Sequence, residues 1–180
     1  MNTNELDLII KKNYPIQTWI NNPILRTKIT KISKSDIVSA KVKEFSKILF
    51  RAMEIYDWIW LAAPQIWELL RMIAICQFDK KWKNILRSDV LINPEIIFKD
   101  WEYISDEACL SLPWLEWKVK RVKKIKVKFF DINWKLNIIE AYDLNAAIIQ
   151  HEIDHLDWIL FRDKVINKQS KINLNKIILS

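Results

Sequence analysis

His151, Glu152 and His155 carry the clearest chemistry in this chain, in the run Gln150-His151-Glu152-Ile153-Asp154-His155. Histidines four residues apart lie on one face of a helix, so both imidazoles can reach a single metal ion. The glutamate beside the first is placed to take a proton from water held at that ion. No other histidine exists in the chain, and a catalytic site of this type needs a third protein ligand and one open position. Cys109 is the natural candidate, in Glu107-Ala108-Cys109-Leu110-Ser111-Leu112-Pro113, where turn residues just after the cysteine suit a thiolate presented beside a helix. Read by itself that segment fits a buried structural thiol equally well. Cys76, in the apolar run Met72-Ile73-Ala74-Ile75-Cys76, reads as a small buried hydrophobe, and two cysteines make no disulfide framework.

These residues need elements to hold them. Val38, Val42, Phe45, Leu49, Ala52 and Tyr56 recur at helical spacing behind Ser35-Asp36, which predicts an N-terminal helix from there to about Tyr56. Strands are expected at 59–63, 71–77, 89–93, 118–131 and 135–140, with turns at Asp100-Trp101 and Asn133-Trp134. A second helix is expected over 143–157, carrying the histidines, and an amphipathic stretch over 165–178 as a last helix. The reading is one α+β domain spanning 1–180, with short antiparallel strands packed around a central metal-binding helix.

The turns expose an anomaly: the chain has no glycine and ten tryptophans. Asn133-Trp134 and Asp100-Trp101 stand where hairpin turns favour Asn-Gly and Asp-Gly, and Trp82 sits in a polar loop. Isoleucine and lysine are abundant and arginine scarce, the signature of an AT-rich gene. A code in which UGA specifies glycine accounts for both facts. With that exchange Trp58-Ile59-Trp60-Leu61-Ala62-Ala63-Pro64-Gln65-Ile66-Trp67 becomes GIGLAAPQIG, in which close-set small residues let another backbone approach and Gln65 offers an amide donor. Taken alone, that pattern fits a simple tight turn better than a site.

The formal net charge of +7 is densest over Lys118–Lys128, where Val and Ile alternate with lysine as on a strand with one solvated face. A basic surface favours polyanions such as RNA without sequence preference, but no aromatic nucleic-acid signature accompanies it. The N-terminus has too short an apolar run for a signal peptide, and no stretch approaches a membrane span, so a reducing cytoplasmic compartment is expected.

Together the three motifs resemble the peptide deformylase family, whose GxGLAAxQ, EGCLS and HExDH signatures appear here in order as WIWLAAPQ, EACLS and HEIDH. The likeness runs from Asn22-Pro23-Ile24-Leu25-Arg26 to Leu156-Asp157-Trp158-Ile159-Leu160-Phe161. Trp58, Trp60, Trp67, Trp114 and Trp158 fall where that family commonly has glycine, and Ala108 is a small-for-small departure. The resemblance implies a hydrolase that removes the formyl group from the formylmethionine of nascent bacterial polypeptides. It implies Cys109, His151 and His155 as ligands of one divalent ion, Fe2+ or Zn2+, with Glu152 as general base. Gln65 and the backbone N–H of Leu110 would stabilise the formyl oxygen. Ile59, Trp60, Glu107, Leu144 and Ile148 would contact substrate, the strand at 59–61 pairing with the peptide and Ile59, Leu144 and Ile148 forming the methionine pocket. Its substrate also suggests docking on the ribosome through the basic surface and residues 165–180. A zinc metalloprotease shares the HExxH logic but ordinarily takes a His or Glu as third ligand. A non-catalytic metal- or RNA-binding protein leaves Glu152 and Gln65 without a task.

Overall fold

The computed structural model describes residues 3–166 and 171–172. In chain order the elements are α1 (Thr3–Asn13), α2 (Lys34–Ile37), α3 (Ala40–Ile55), β1 (Trp60–Ala62), a 3-10 turn (Ala63–Ile66), β2 (Met72–Phe78), β3 (Ile85–Cys109), β4 (Leu112–Phe130), β5 (Leu136–Tyr142), α4 (Asp143–Leu156), a second 3-10 turn (Phe161–Lys164) and β6 (Lys171–Ile172). The strands form one antiparallel sheet in the order β1-β2-β3-β4-β5, and β6 pairs with β4.

The apolar run of β2 explains the layering. Met72, Ala74 and Cys76 face one side of the sheet and pack with Ile10 of α1 and Val42, Phe45 and Leu49 of α3. Ile73 and Ile75 face the other side, where Ala146, Ile149, Ile153 and Leu156 of α4 meet Ile125, Val127 and Phe129 of β4. A central strand buried on both faces reads as continuous hydrophobicity. Leu25, Cys109, Leu112, Val119, Leu160 and Phe161 form a third cluster beside the end of α4.

Several expectations need correction. The helix expected from Ser35 to Tyr56 is two helices, because Ser39 is extended (ψ 153°) and its hydroxyl accepts from Val42 N–H, starting α3 afresh. α1, unforeseen, docks on α3 through an Arg51–Asp7 ion pair at 2.7 Å. The strands are not all short: β3 has 25 residues and β4 has 19. The segment expected at 89–93 lies within the first half of β3, and Asp100-Trp101 makes no turn, since the chain stays in register from Asp100↔Lys124 to Glu102↔Val122. Much of this ribbon is solvated on both faces, so its apolar alternation is weak. It is laced instead by cross-strand pairs such as Lys120–Glu102 and Lys118–Asp106. The β4–β5 connection is a five-residue turn, in which Asp131 Oδ1 accepts from Asn133 N–H and Lys135 N–H. Of the helix expected over 165–178, Lys171 and Ile172 are a strand, Val165 bridges to Val119, and 167–170 and 173–178 lie outside the described residues.

Candidate metal centre

Three local structures bring the chemistry together. α4 places His151 and His155 one turn apart, their rings 5.0 Å between centroids. Gln150 fixes the helix to the sheet: its amide accepts from Val122 N–H at 3.0 Å and donates to Val122 O at 2.7 Å. Cys109 ends β3 at a tight reversal, Cys109 pairing with Leu112, which points its thiol under the helix. The 3-10 turn after β1 carries Gln65, whose Oε1 accepts from Ala62 N–H at 2.8 Å. Gln65 Nε2 then lies 3.4 Å from Cys109 Sγ and 3.3 Å from Ser111 Oγ.

One potential ligand atom from each of Cys109, His151 and His155 lies within 4.8 Å of the others, and all three residues are buried. His155 Nε2 is 3.3 Å from Cys109 Sγ. His151 Nδ1 is turned to Glu107 Oε2 at 2.9 Å, which leaves Nε2 on the cluster side. His151 Nε2, His155 Nδ1 and both Glu152 oxygens are buried with no hydrogen-bond partner in the protein. Orphaned buried polar atoms are costly, and here they gather around a soft cysteine sulfur and two imidazoles. That donor set fits a divalent ion of the Zn2+ or Fe2+ type.

A charged chain supports the cluster from behind. Arg121 is buried and donates from Nε to Glu107 Oε1 at 2.6 Å and from Nη2 to Oε2 at 2.8 Å. Its Nη1 meets Asp154 Oδ2, whose other oxygen accepts from Lys164 at 2.7 Å. Burial alone would raise the Glu107 pKa, but Arg121 and His151 hold it down to about 2. Glu152, completely buried, is lifted to about 7 by desolvation, Glu107 adding to the rise and His151 opposing it. At His151 desolvation opposes a positive charge, yet Cys109 and Glu107 outweigh it and raise the pKa well above the ordinary histidine value. Desolvation, reinforced by the neighbouring His151, pushes the His155 pKa well below the ordinary histidine value.

The remaining expected residues distribute unevenly. Leu110 and Cys109 line a cavity of about 210 Å³. Trp60, Glu107, Leu144, Ile148 and His151 line a neighbouring one of about 280 Å³. Ile59, expected in the methionine pocket, faces away: strand alternation turns it into the core packed on α3, while Trp58 and Trp60 face the cleft. Glu107 borders the cleft, but its carboxylate is spent on Arg121 and His151. Sequence reasoning missed Arg121 and Asp154. A signal existed for the first: Arg121 is the one arginine in the Lys118–Lys128 run and shares the inward parity of Val119, Ile125 and Val127.

Comparison with known proteins fixes the family. The polypeptide deformylase family profile matches residues 14–171. The chain belongs to the peptide deformylase family. The peptide deformylase of Dictyoglomus thermophilum is 38% identical over 152 residues, covering 84% of this chain and 93% of that protein. That of Thermodesulfovibrio yellowstonii is 37% identical over 154 residues, with coverages of 86% and 87%. Among solved structures, the Thermotoga maritima peptide deformylase superposes with a TM-score of 0.74 at 28% identity, covering 86% of this chain and 98% of that one. The Synechococcus elongatus enzyme in complex with actinonin gives 0.74 at 29% identity, with coverages of 86% and 80%. Deformylation is accordingly the activity of this chain, and it is a metal-dependent hydrolase. No helix among the described residues is long and apolar enough to cross a membrane.

Proposed function

We propose that this deformylase acts as one catalytic domain on the formylmethionine end of newly made polypeptides in the cytoplasm. One divalent ion, Fe2+ or Zn2+, would be held by Cys109, His151 and His155 on the metal-binding helix α4. The observation that carries the reading is the convergence of those three donors with the partnerless carboxylate of Glu152, 3.9 Å from His151 Nε2. Such an ion supplies Lewis acidity, polarising a carbonyl and lowering the pKa of coordinated water toward about 7. Glu152, whose pKa burial raises, would accept a proton from coordinated water and return it to the departing amine. Gln65 Nε2 and the backbone N–H of Leu110 donate to the formyl oxygen as charge grows on it. Glu107 positions His151 and does not meet substrate, while Leu144 and Ile148 supply apolar walls for the methionine side chain, whose burial contributes about 2 kcal/mol.

Ribosome docking through the basic run has less support. Lys118, Lys120, Lys123, Lys126 and Lys128 each face a carboxylate, from Asp106, Glu102, Asp143, Glu140 and Glu95 respectively. Co-sedimentation with ribosomes before and after removal of residues 165–180 tests what remains of that idea.

Formate release from a formyl-Met peptide is the direct assay, run on the metal-loaded chain with glycine in place of its ten tryptophans and on the Glu152→Ala variant of that same chain. Loss of turnover in Glu152→Ala with metal still bound is expected. Equal inertness of both, metal bound and fold intact, would overturn the reading in favour of a binding protein.

A further inference from the structure

Left-handed backbone is confined to an unusual set of residues. Among the described residues, positive φ occurs at Trp19 (80°), Trp67 (76°), Trp82 (55°), Trp101 (53°), Trp114 (67°), Trp134 (64°) and Trp158 (55°), and otherwise only at Asp57, Asn93 and Asp143. Asp and Asn tolerate this conformation because their short polar side chains bond locally. A bulky aromatic residue does not, and seven of ten tryptophans adopting it is the distribution expected of glycine. Six of those seven indoles are exposed: Trp19, Trp67, Trp82, Trp101, Trp114 and Trp158. Trp19, Trp67 and Trp101 are the most exposed of them, and none of the six belongs to the buried core. Trp82 and Trp134 do stack, on Phe78 and Phe130, as a surface ring does on the nearest aromatic neighbour.

The other three tryptophans obstruct rather than strain. Trp117 has an indole N–H buried with no acceptor, although buried tryptophan ordinarily finds a partner for that group. Trp58 and Trp60 pack edge to face, centroids 5.3 Å apart, on the cleft side of β1. Trp58 borders both the cavity that reaches Cys109 and the one that reaches His151, and shares that boundary with Ala108 and Glu116. β1 is the edge strand of the sheet, the position at which an extended peptide adds by backbone pairing.

We infer that all ten tryptophan positions are glycine positions, filled by glycine in the functional enzyme through UGA codons that its source reads as glycine. Glycine at 58 and 60 then merges the two cavities into one groove along β1 leading to the metal centre, which the two indoles close. The inference builds on the deformylase reading for its account of the groove, while the backbone argument stands without it.

The test compares four metal-loaded full-length chains: tryptophan at all ten positions, glycine at all ten, Trp58→Gly/Trp60→Gly alone, and glycine at the other eight alone. Relieving seven left-handed positions raises the thermal midpoint of the eight-site chain by roughly 15 °C or more. The double exchange raises kcat/KM for a formyl-Met peptide by roughly 100-fold or more, the scale on which misplacement by about 1 Å already acts. Peptide masses of the protein isolated from its source should report glycine at all ten positions, with UGA in the gene. Tryptophan masses there, or a ten-tryptophan chain as stable and as active as the ten-glycine chain, would overturn the inference. A ten-glycine chain that is stabilised and binds metal yet releases no formate would support the backbone argument and sink the deformylase reading instead.

Discussion

His151 Nδ1 lies 2.9 Å from Glu107 Oε2, and that contact decides which ring nitrogen of His151 faces Cys109 and His155. Both carboxylate oxygens are engaged, with three of about four acceptor positions taken. Oε1 accepts from Arg121 Nε, and Oε2 accepts from Arg121 Nη2 as well as meeting His151. A Glu107→Gln amide would present its NH2 to a donor in either orientation, so the ring would lose its orientation. Ligand-orienting partners of this kind typically change metal affinity by about 10–100-fold. We expect a loss in that range for Glu107→Gln, read by competition with a chelator at neutral pH. An unchanged affinity would show that packing against Phe161, 5.7 Å away ring to ring, suffices to orient His151.

Gln65 combines two duties that one substitution separates. Its Oε1 holds Ala62 N–H, a structural bond at the end of β1, while Nε2 points to the cluster. Gln65→Glu keeps an acceptor for Ala62 and removes the donor. Loss of an oxyanion donor costs about 3 kcal/mol, so kcat should fall by at least roughly 100-fold with a smaller change in KM. Steady-state kinetics on a formyl-Met peptide decides it. A change confined to KM would mean that Gln65 binds substrate without stabilising the transition state.

The parts of the site that were legible in the sequence are those set by local spacing. His151, Glu152 and His155 share a helix turn, and Cys109 and Gln65 sit in short distinctive runs. What was illegible depends on pairing across the chain. Arg121 matters because β3 and β4 run antiparallel far enough to oppose Arg121 to Tyr103 and bring it beside Glu107 and Asp154. The length of that ribbon is hidden because its partly solvated faces carry Lys99, Glu102, Asp106 and Lys120 rather than alternating apolar residues. Ile59 was misread for a related reason. Whether 58 and 60 or 59 faces the cleft depends on which side of β1 meets α3, and a three-residue strand carries too short an alternation to say. Ser39 was hidden inside a helical pattern that continues on both sides of it.

Ser39 supplies the next test. Its hydroxyl accepts from Val42 N–H at 3.3 Å and donates to Asp36 O at 2.6 Å, which both starts α3 and closes α2. Removing an N-cap of this type costs about 1 kcal/mol. Ser39→Ala should lower the thermal midpoint by roughly 2–4 °C without altering turnover, since α3 lies across the sheet from the metal centre. Ser39→Asp should recover most of the loss, and failure of that rescue would locate the effect in the Asp36 contact.

The acid limb of stability should carry the signature of Asp163. Its carboxylate bonds Arg26 Nη1 and Nη2 and accepts from Leu160 N–H at 2.9 Å, while Arg26 also donates to Ile20 O and Trp158 O. This pair ties the loop before α2 to the segment after α4. Desolvation works against the charged form, but Arg26 and the Leu160 N–H prevail, and the Asp163 pKa is lowered. A carboxylate with a folded pKa below its unfolded value stabilises above the unfolded value, about 3.9, and loses that contribution as pH falls through the folded value. The pair is about a third exposed, so screening limits its worth to about 1 kcal/mol. Asp163→Asn should therefore unfold at lower temperature than the parent chain near pH 7, by roughly 2–4 °C. The gap should narrow as the pH drops below about 4 and close once both side chains are neutral. Scanning calorimetry from pH 7 to the acid limit measures this directly. A difference that stays constant across the range would assign the loss to packing around Arg26 instead of to the charge on Asp163.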